Sequence, residues 1–140
     1  MRNLYTTKRV CKLTGITGRQ LRYLVIQGVI KPAMNEGKGY GTRRAYDFDN
    51  LVQIEVAKQL RRYSIKPQVI AEAVEQINSE TVGPPTHNLT LFTDGKRHHT
   101  INARLVVPTA VIMRMRRGVP YFGIAIDKIL ETLEERINGN

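Results

Sequence analysis

The chain has 140 residues, 41% of them hydrophobic, so it can bury a core and is not a disordered tail. It contains one cysteine, which excludes an internal disulfide, and no apolar run approaches the roughly 18 residues of a membrane-spanning helix. The N-terminus also lacks the apolar stretch of a secretory signal. These properties predict a cytoplasmic protein that does not enter a membrane.

The formal net charge of +10 is confined to the first half of the chain. Residues 1–66 hold 14 Lys and Arg against 4 Asp and Glu, a net of +10, whereas residues 67–140 hold 8 against 8. Such a concentration indicates a polyanionic partner, because contacts with phosphates release condensed counterions. Charge alone leaves open a basic surface that serves only solubility.

The first predicted element is a short helix that Thr6 or Thr7 can cap and that ends at Gly15. Lys8 and Arg9 fall in its first turn, where cations oppose the helix dipole. This placement is favourable if a phosphate lies at the helix start. The alternative is a solvated face that is mildly unfavourable.

A second helix is predicted from the cap Thr17 to about Gln27, with Gly28 ending it. Its buried face carries Leu21, Leu24 and Val25 at helical spacing. The other faces carry Arg19, Gln20, Arg22 and Tyr23. Two short helices joined across residues 14–17 form a helix-turn-helix pattern.

A β-hairpin is predicted next, because three glycines between residues 35 and 41 permit a tight turn and residues 42–46 can return as a strand. A glycine-rich loop can also hold a nucleotide phosphate. The strand-to-helix spacing of a P-loop is missing, however, so a wing is favoured.

Two further helices follow the hairpin. Asp47 caps the third, from Phe48 to about Arg62, and Pro67 begins the fourth, which runs to about Ile77. Their apolar stripes indicate ordinary core.

Residues 78–88 are predicted to be a linker centred on Gly83-Pro84-Pro85. Alternation over 88–93, the turn signal Asp94-Gly95 and a return strand over 100–107 predict a second hairpin.

The rest of the chain completes a small α+β unit. Short strands are predicted at residues 111–115 and 121–126. Asp127 is predicted to cap a last helix that runs to Ile137. The apolar face of this helix either completes a local core, which is slightly favoured, or joins a dimer interface.

The ordered motifs of residues 5–77 resemble those of MerR-type transcriptional regulators. The resemblance rests on Tyr5-Thr6-Thr7-Lys8-Arg9-Val10 with Leu13-Thr14-Gly15-Ile16-Thr17, on Gln20-Leu21-Arg22-Tyr23 with Gly28-Val29-Ile30-Lys31-Pro32, and on Arg44-Ala45-Tyr46-Asp47-Phe48-Asp49-Asn50-Leu51. It implies a winged helix-turn-helix fold, a homodimer and a pseudo-palindromic DNA operator. Together with the elements predicted above, it gives an α+β chain with a DNA-binding head at 1–77, the linker at 78–88 and a C-terminal unit at 89–140.

The chain departs from the family pattern at three places. Leu24 stands where the family often has a second aromatic residue, so a phosphate contact at that position is not carried over from the resemblance. Ser64 replaces a glycine between the third and fourth helices, which bears only on local geometry. Beyond residue 78 no long heptad helix and no cysteine loop appear. The C-terminal unit therefore lacks the family's usual means of dimerisation and metal binding. Its expected role is dimerisation by another surface, binding of an effector or binding of a protein partner.

The predicted DNA-binding side chains divide into base readers and backbone contacts. Arg19 and Gln20 begin the recognition helix and are the candidates for bidentate contacts with base edges in the major groove. Arg22 and Tyr23 are assigned to phosphates, although Tyr23 packing against the core has nearly equal weight. The remaining candidates are Lys8, Arg9 and Thr17 near the helix starts and Lys38, Arg43, Arg44 and Tyr46 on the wing.

No catalytic residue, metal site or cofactor is predicted. His98 and His99 are adjacent in a strand and point to opposite faces, so they cannot chelate one ion with Cys11, and a solvent-exposed pair is expected. The basic cluster at residues 114–117 is interpreted as a solvated face. No nucleophilic triad or carboxylate pair stands out, so an enzyme is not expected.

The sequence thus predicts a DNA-binding transcriptional regulator, with two alternatives. In the first, the head binds DNA only to autoregulate and the C-terminal unit grips a protein partner, as an antitoxin grips its toxin. In the second, the protein is a DNA-architectural or excision factor that bends DNA with weak sequence preference. The operator, the effector and the direction of regulation are not encoded in any recognisable motif.

Overall fold

The computed structural model describes residues 3–36, 43–80, 89–96, 98–102 and 109–139. The predicted glycine-rich turn with Lys38, and most of the predicted linker, lie outside these residues.

The helix-turn-helix forms as the capping residues predict. Strand β1 (Tyr5–Thr6) leads into α1 (Thr7–Thr14), and α2 spans Gly18–Ile26. The Thr6 hydroxyl accepts a hydrogen bond from the Arg9 amide at 3.2 Å, which satisfies one of the free N–H groups at the start of α1. Gly15 ends α1 in the left-handed region, at φ 77°.

Replacing Gly15 by alanine is expected to lower the free energy of unfolding by about 1–2 kcal/mol, because a side chain at positive φ is strained. The nearest atom to the added Cβ is Lys58 Nζ at 3.8 Å, so the cost comes from the backbone and not from a clash. Gly18→Ala is the control, since its Cβ meets nothing within 4 Å. Equal urea-unfolding midpoints for the two variants would contradict this account.

The predicted wing hairpin is present. Strands β2 (Met34–Glu36) and β3 (Arg43–Tyr46) pair antiparallel, and β1 pairs with the other side of β3, in the order β1-β3-β2. Tyr5 lies opposite Tyr46. The strand β1 was not predicted, because two residues are too few to show a period of two.

Two helices complete the head. Helix α3 spans Phe48–Arg62 and is capped by Asp47, as predicted. Helix α4 spans Pro67–Glu80 and is three residues longer than predicted. Ser64, at the position where the family pattern has glycine, adopts φ 59° between the two helices.

The C-terminal unit contains a second antiparallel sheet, in the order β5-β4-β6. Its strands are β4 (Leu89–Thr93), β5 (His98–Asn102) and β6 (Phe122–Ala125), with α5 (Thr109–Arg116) before β6 and α6 (Ile126–Asn138) after it. The prediction of a hairpin around Asp94-Gly95 is confirmed, with β5 beginning two residues earlier than expected. Residues 103–107 of the predicted return strand lie outside the described residues.

Two predictions about the helices of this unit are wrong. Residues 111–115 lie in α5 and not in a strand, since the Met and Arg residues that follow Val111 favour a helix more than its β-branched start favours a strand. Asp127 lies inside the first turn of α6, and the cap position is occupied by Ala125, which makes no side-chain capping bond. An acid in a first turn still interacts favourably with the helix dipole.

The two halves share one buried cluster. Leu91, Ile126 and Leu133 of the C-terminal unit are buried in the same cluster as Val10 of α1 and Ile54 of α3. Helix α6 packs against α1, α3 and β4. The apolar face of α6 therefore completes a core, which is one of the two alternatives from the sequence. That core also contains residues of the head.

Candidate nucleic-acid interface

Helix α2 presents polar side chains on one side while its apolar residues anchor it on the other. Leu21 and Leu24 are buried in the shared core, and Arg19, Gln20 and Arg22 are exposed. The helix therefore offers two guanidinium groups to a ligand outside the protein. A helix of this size fits the major groove of B-DNA.

Gln20 has a structural task that limits its role in base recognition. Thr17 Oγ1 accepts from the Gln20 amide, and Gln20 Oε1 accepts from the Thr17 amide, both at 3.1 Å. This reciprocal pair is a capping box. A bidentate contact with adenine uses the same oxygen, so while the box is intact that oxygen has one acceptor position left and its orientation is set by the Thr17 amide.

Tyr23 lies outside the core and beside a cation. Its side chain is 39% exposed, and the Arg61 guanidinium carbon is 4.9 Å from the centre of its ring. This contact is a cation–π interaction between α2 and the last turn of α3. The alternative of Tyr23 packing against the core is therefore less well supported than an outward position.

A basic cleft lies beside α2, and the sequence analysis did not predict it. It has a volume of about 330 Å³ and is lined in part by Gln20, Lys58, Arg61 and Arg62. The sequence shows the adjacent pair Arg61-Arg62 at the end of the predicted third helix. What the sequence did not reveal is that α3 ends next to the exposed face of α2.

The start of α1 is basic, as the sequence shows, and its Lys8 is exposed while Arg9 is half-buried. Neither α1 nor α2 has an acidic residue in its first turn. The first turn of each helix therefore supplies no carboxylate that would neutralise the positive end of its own dipole. Thr17, which caps α2, is exposed.

The wing separates its two arginines. Arg43 is exposed and Arg44 is half-buried, because adjacent strand residues point to opposite faces. Arg44 Nε donates to Asn35 Oδ1 on the paired strand at 3.4 Å. Lys38, the third predicted cation of the wing, lies outside the described residues.

Tyr46 occupies the core and not the surface. It is 1% exposed, and burial raises the pKa of its phenol above the ordinary value, partly offset by a hydrogen bond with Thr7 and by the charge of Arg44. A side chain so placed cannot reach DNA without leaving the core. We therefore assign Tyr46 to the wing's attachment and leave it out of the DNA-binding surface.

Asn50 fastens the entry to the wing, a role that the sequence analysis did not predict. Its Oδ1 accepts from the Ala33 amide at 3.0 Å and from the Asp47 amide at 3.1 Å. Its Nδ2 donates to the Lys31 carbonyl at 3.0 Å and to Gln53 Oε1 at 3.1 Å. One buried side chain thereby ties the segment before β2 to the start of α3.

The histidine and cysteine side chains contribute no metal site in the described part of the chain, where no group of three or more His, Cys, Asp or Glu is placed to share an ion. His98 is half-buried and not exposed as expected, and its Nδ1 lies 2.9 Å from Thr93 Oγ1. Burial raises the pKa of the Cys11 thiol, which disfavours the reactive thiolate.

Among the described helices, none has the length and apolar character needed to cross a bilayer.

The fold and this surface define a winged helix-turn-helix protein. The family model for MerR HTH family regulatory proteins matches residues 5–77, more than half of the chain. The chain therefore belongs to the MerR family of helix-turn-helix regulatory proteins.

Similar curated proteins carry names of the same class. Uncharacterized HTH-type transcriptional regulators of Mycobacterium bovis and of two strains of Mycobacterium tuberculosis are each 27% identical to this chain over 129 residues. The similarity covers 92% of this chain and 55% of each relative. The chain thus spans about half the length of the curated relatives that it matches.

Proposed function

We propose that the chain is a sequence-specific transcriptional regulator that binds a pseudo-palindromic double-stranded DNA site as a homodimer. Helix α2 enters the major groove, and the wing formed by β2 and β3 lies on the backbone or in the minor groove. One observation carries this proposal: the same core supports both the exposed arginines of α2 and the basic strand of the wing. The net charge of +10 in residues 1–66 supports a phosphate-rich partner.

Within this surface the roles differ. Arg19 is the base reader, because its fork of donors matches guanine and its side chain is exposed at the start of α2. The phosphate backbone of the DNA is held by the other side chains of the surface, which are Lys8, Arg9, Arg22, Tyr23, Arg43 and Arg44. Lys38 is assigned to the same role from its place in the sequence. The cleft cations Arg61 and Arg62 extend the phosphate-binding surface beyond α2.

Replacing Arg19 by alanine is expected to relax the preference at one base pair of each half-site, by about 1–3 kcal/mol, because the bidentate contact is lost. Sequences selected from a random duplex pool by the wild-type and variant chains would show the change. Similar losses on specific and random DNA would remove Arg19 from base reading.

Arg44→Ala is the matched comparison on the wing. It is expected to weaken binding by similar factors on all sequences and to reduce the salt slope by about one unit, as a phosphate contact does. A loss confined to particular sequences would contradict a backbone role.

A protein partner is the second candidate, and one observation favours it. Helix α5 exposes three large apolar side chains, Ile112, Met113 and Met115. Such a patch is typical of an interface. The mass of the purified protein, alone and with selected DNA, distinguishes two copies of this chain from a complex with a different protein.

A further inference from the structure

The end of α1 is held by side chains from two other helices. The last carbonyls of a helix have no partner within the helix. Here Lys58 Nζ, from α3, donates to the Thr14 carbonyl, and Arg136, from α6, donates to the Leu13 carbonyl at 2.9 Å. Cations at this end also interact favourably with the helix dipole.

One carboxylate orients both cations. Glu55 Oε1 lies 3.3 Å from Lys58 Nζ and 3.3 Å from an Arg136 guanidinium nitrogen. The Glu55 side chain is 13% exposed, while that of Arg136 is 45% exposed. We call Glu55, Lys58 and Arg136 the carbonyl clamp.

The clamp acts at the turn of the helix-turn-helix. Only Gly15, Ile16 and Thr17 separate the clamped carbonyls from the start of α2. Ile16 is buried, and its amide donates to Thr14 Oγ1 at 3.3 Å, so this turn follows the end of α1 closely. A shift of Leu13 and Thr14 therefore moves the first turn of α2, where Arg19 lies.

We infer that Arg136 is a positioning residue through which the C-terminal helix sets the placement of α2 for DNA binding. This inference rests on the proposed function. The Arg136 side chain is 45% exposed in its ion pair with Glu55, and ion pairs open to solvent add little to stability. The contribution of Arg136 therefore lies in the geometry of the turn, and contact with bases tolerates only small displacements of the reading side chain.

The test compares Arg136→Met with Lys128→Met in the full chain. Both variants remove one positive charge from α6, but Lys128 pairs with Glu131 on the same helix and makes no contact with the turn among the described interactions. The probe is a duplex selected by the wild-type chain from a random pool. Arg136→Met is expected to weaken binding about fivefold or more, and Lys128→Met by less than about twofold.

Two further measurements separate positioning from folding. Arg136→Lys, which keeps a charged donor, is expected to recover part of the affinity, and the melting temperatures of all three variants are expected to stay close to that of the wild type. Amide hydrogen exchange at residues 15–17, measured without DNA, is expected to accelerate in Arg136→Met and not in Lys128→Met.

Equal affinities of Arg136→Met and Lys128→Met would overturn the inference, as would unchanged exchange at residues 15–17. A wild-type chain that selects no duplex would overturn the proposed function and the DNA-binding part of the inference. Faster exchange in Arg136→Met would still establish, in that case, that α6 holds the turn.

Discussion

Replacing Leu133 by alanine is expected to lower the free energy of unfolding of the entire chain by about 2–5 kcal/mol. Leu133 lies on α6, is 0% exposed and belongs to the cluster that contains residues of the head. Removing its side chain leaves a cavity where α6 packs on the rest of the core. For a chain of this length the midpoint of thermal unfolding should fall by roughly 10 °C.

The control is Ile112→Ala on α5, where the isoleucine is 42% exposed and the expected loss is small. Unfolding followed by helical circular dichroism and by hydrogen exchange of α3 should show one shared transition for Leu133→Ala. A head that unfolds at its original midpoint, separately from residues 89–139, would show that the two halves are independent.

Replacing Asn50 by alanine is expected to cost about 3 kcal/mol of unfolding free energy. The side chain serves four partners, two N–H groups and two oxygens, at distances of 3.0 and 3.1 Å. Each group that loses its partner in a buried place costs about 1–3 kcal/mol, with relaxation and water recovering part of the sum. The loss of unfolding free energy should exceed the loss expected from the smaller side-chain volume alone.

Asn35→Ala provides the same substitution on the exposed wing, where Asn35 accepts one 3.4 Å bond from Arg44. Its expected cost is below about 0.5 kcal/mol. Similar denaturant midpoints for the two alanine variants would show that the Asn50 bonds do not fasten the wing.

The head was predictable because its signals are local. Thr6, Gly15 and Thr17 act on backbone groups within four residues, and the structure uses each of them at the predicted helix ends. The wing strands follow from the return of a β-rich segment after a glycine-rich turn. Such features need no knowledge of distant parts of the chain.

The errors arose where the local preference for helix or strand is weak, or where the burial of a side chain determines its role. Residues 111–115 combine β-branched residues with Met and Arg, so neither period is clear, and they form α5. Tyr46 matched a motif associated with DNA, yet in a strand every second side chain points inward, and Tyr46 is one of these. A motif match cannot distinguish a tyrosine that touches DNA from one that anchors the strand.

The remaining features depend on contacts between distant residues. The cleft with Arg61 and Arg62, and the four bonds of Asn50, require the packing of α3 against α2 and the wing. The same holds for α6, whose place against α1 and α3 depends on contacts between distant parts of the chain. Periodicity shows that a helix has a buried face but not which element covers it.

The contact between Arg136 and Leu13 joins residues 123 positions apart, and it has a consequence for synthesis on the ribosome. All four helices of the head leave the ribosome before α6 does. During that interval the Leu13 carbonyl lacks its donor and the head core lacks Leu133. We expect the nascent head to be loosely ordered and to acquire its final shape only after α6 has left the ribosome, so that the proposed DNA binding begins only then.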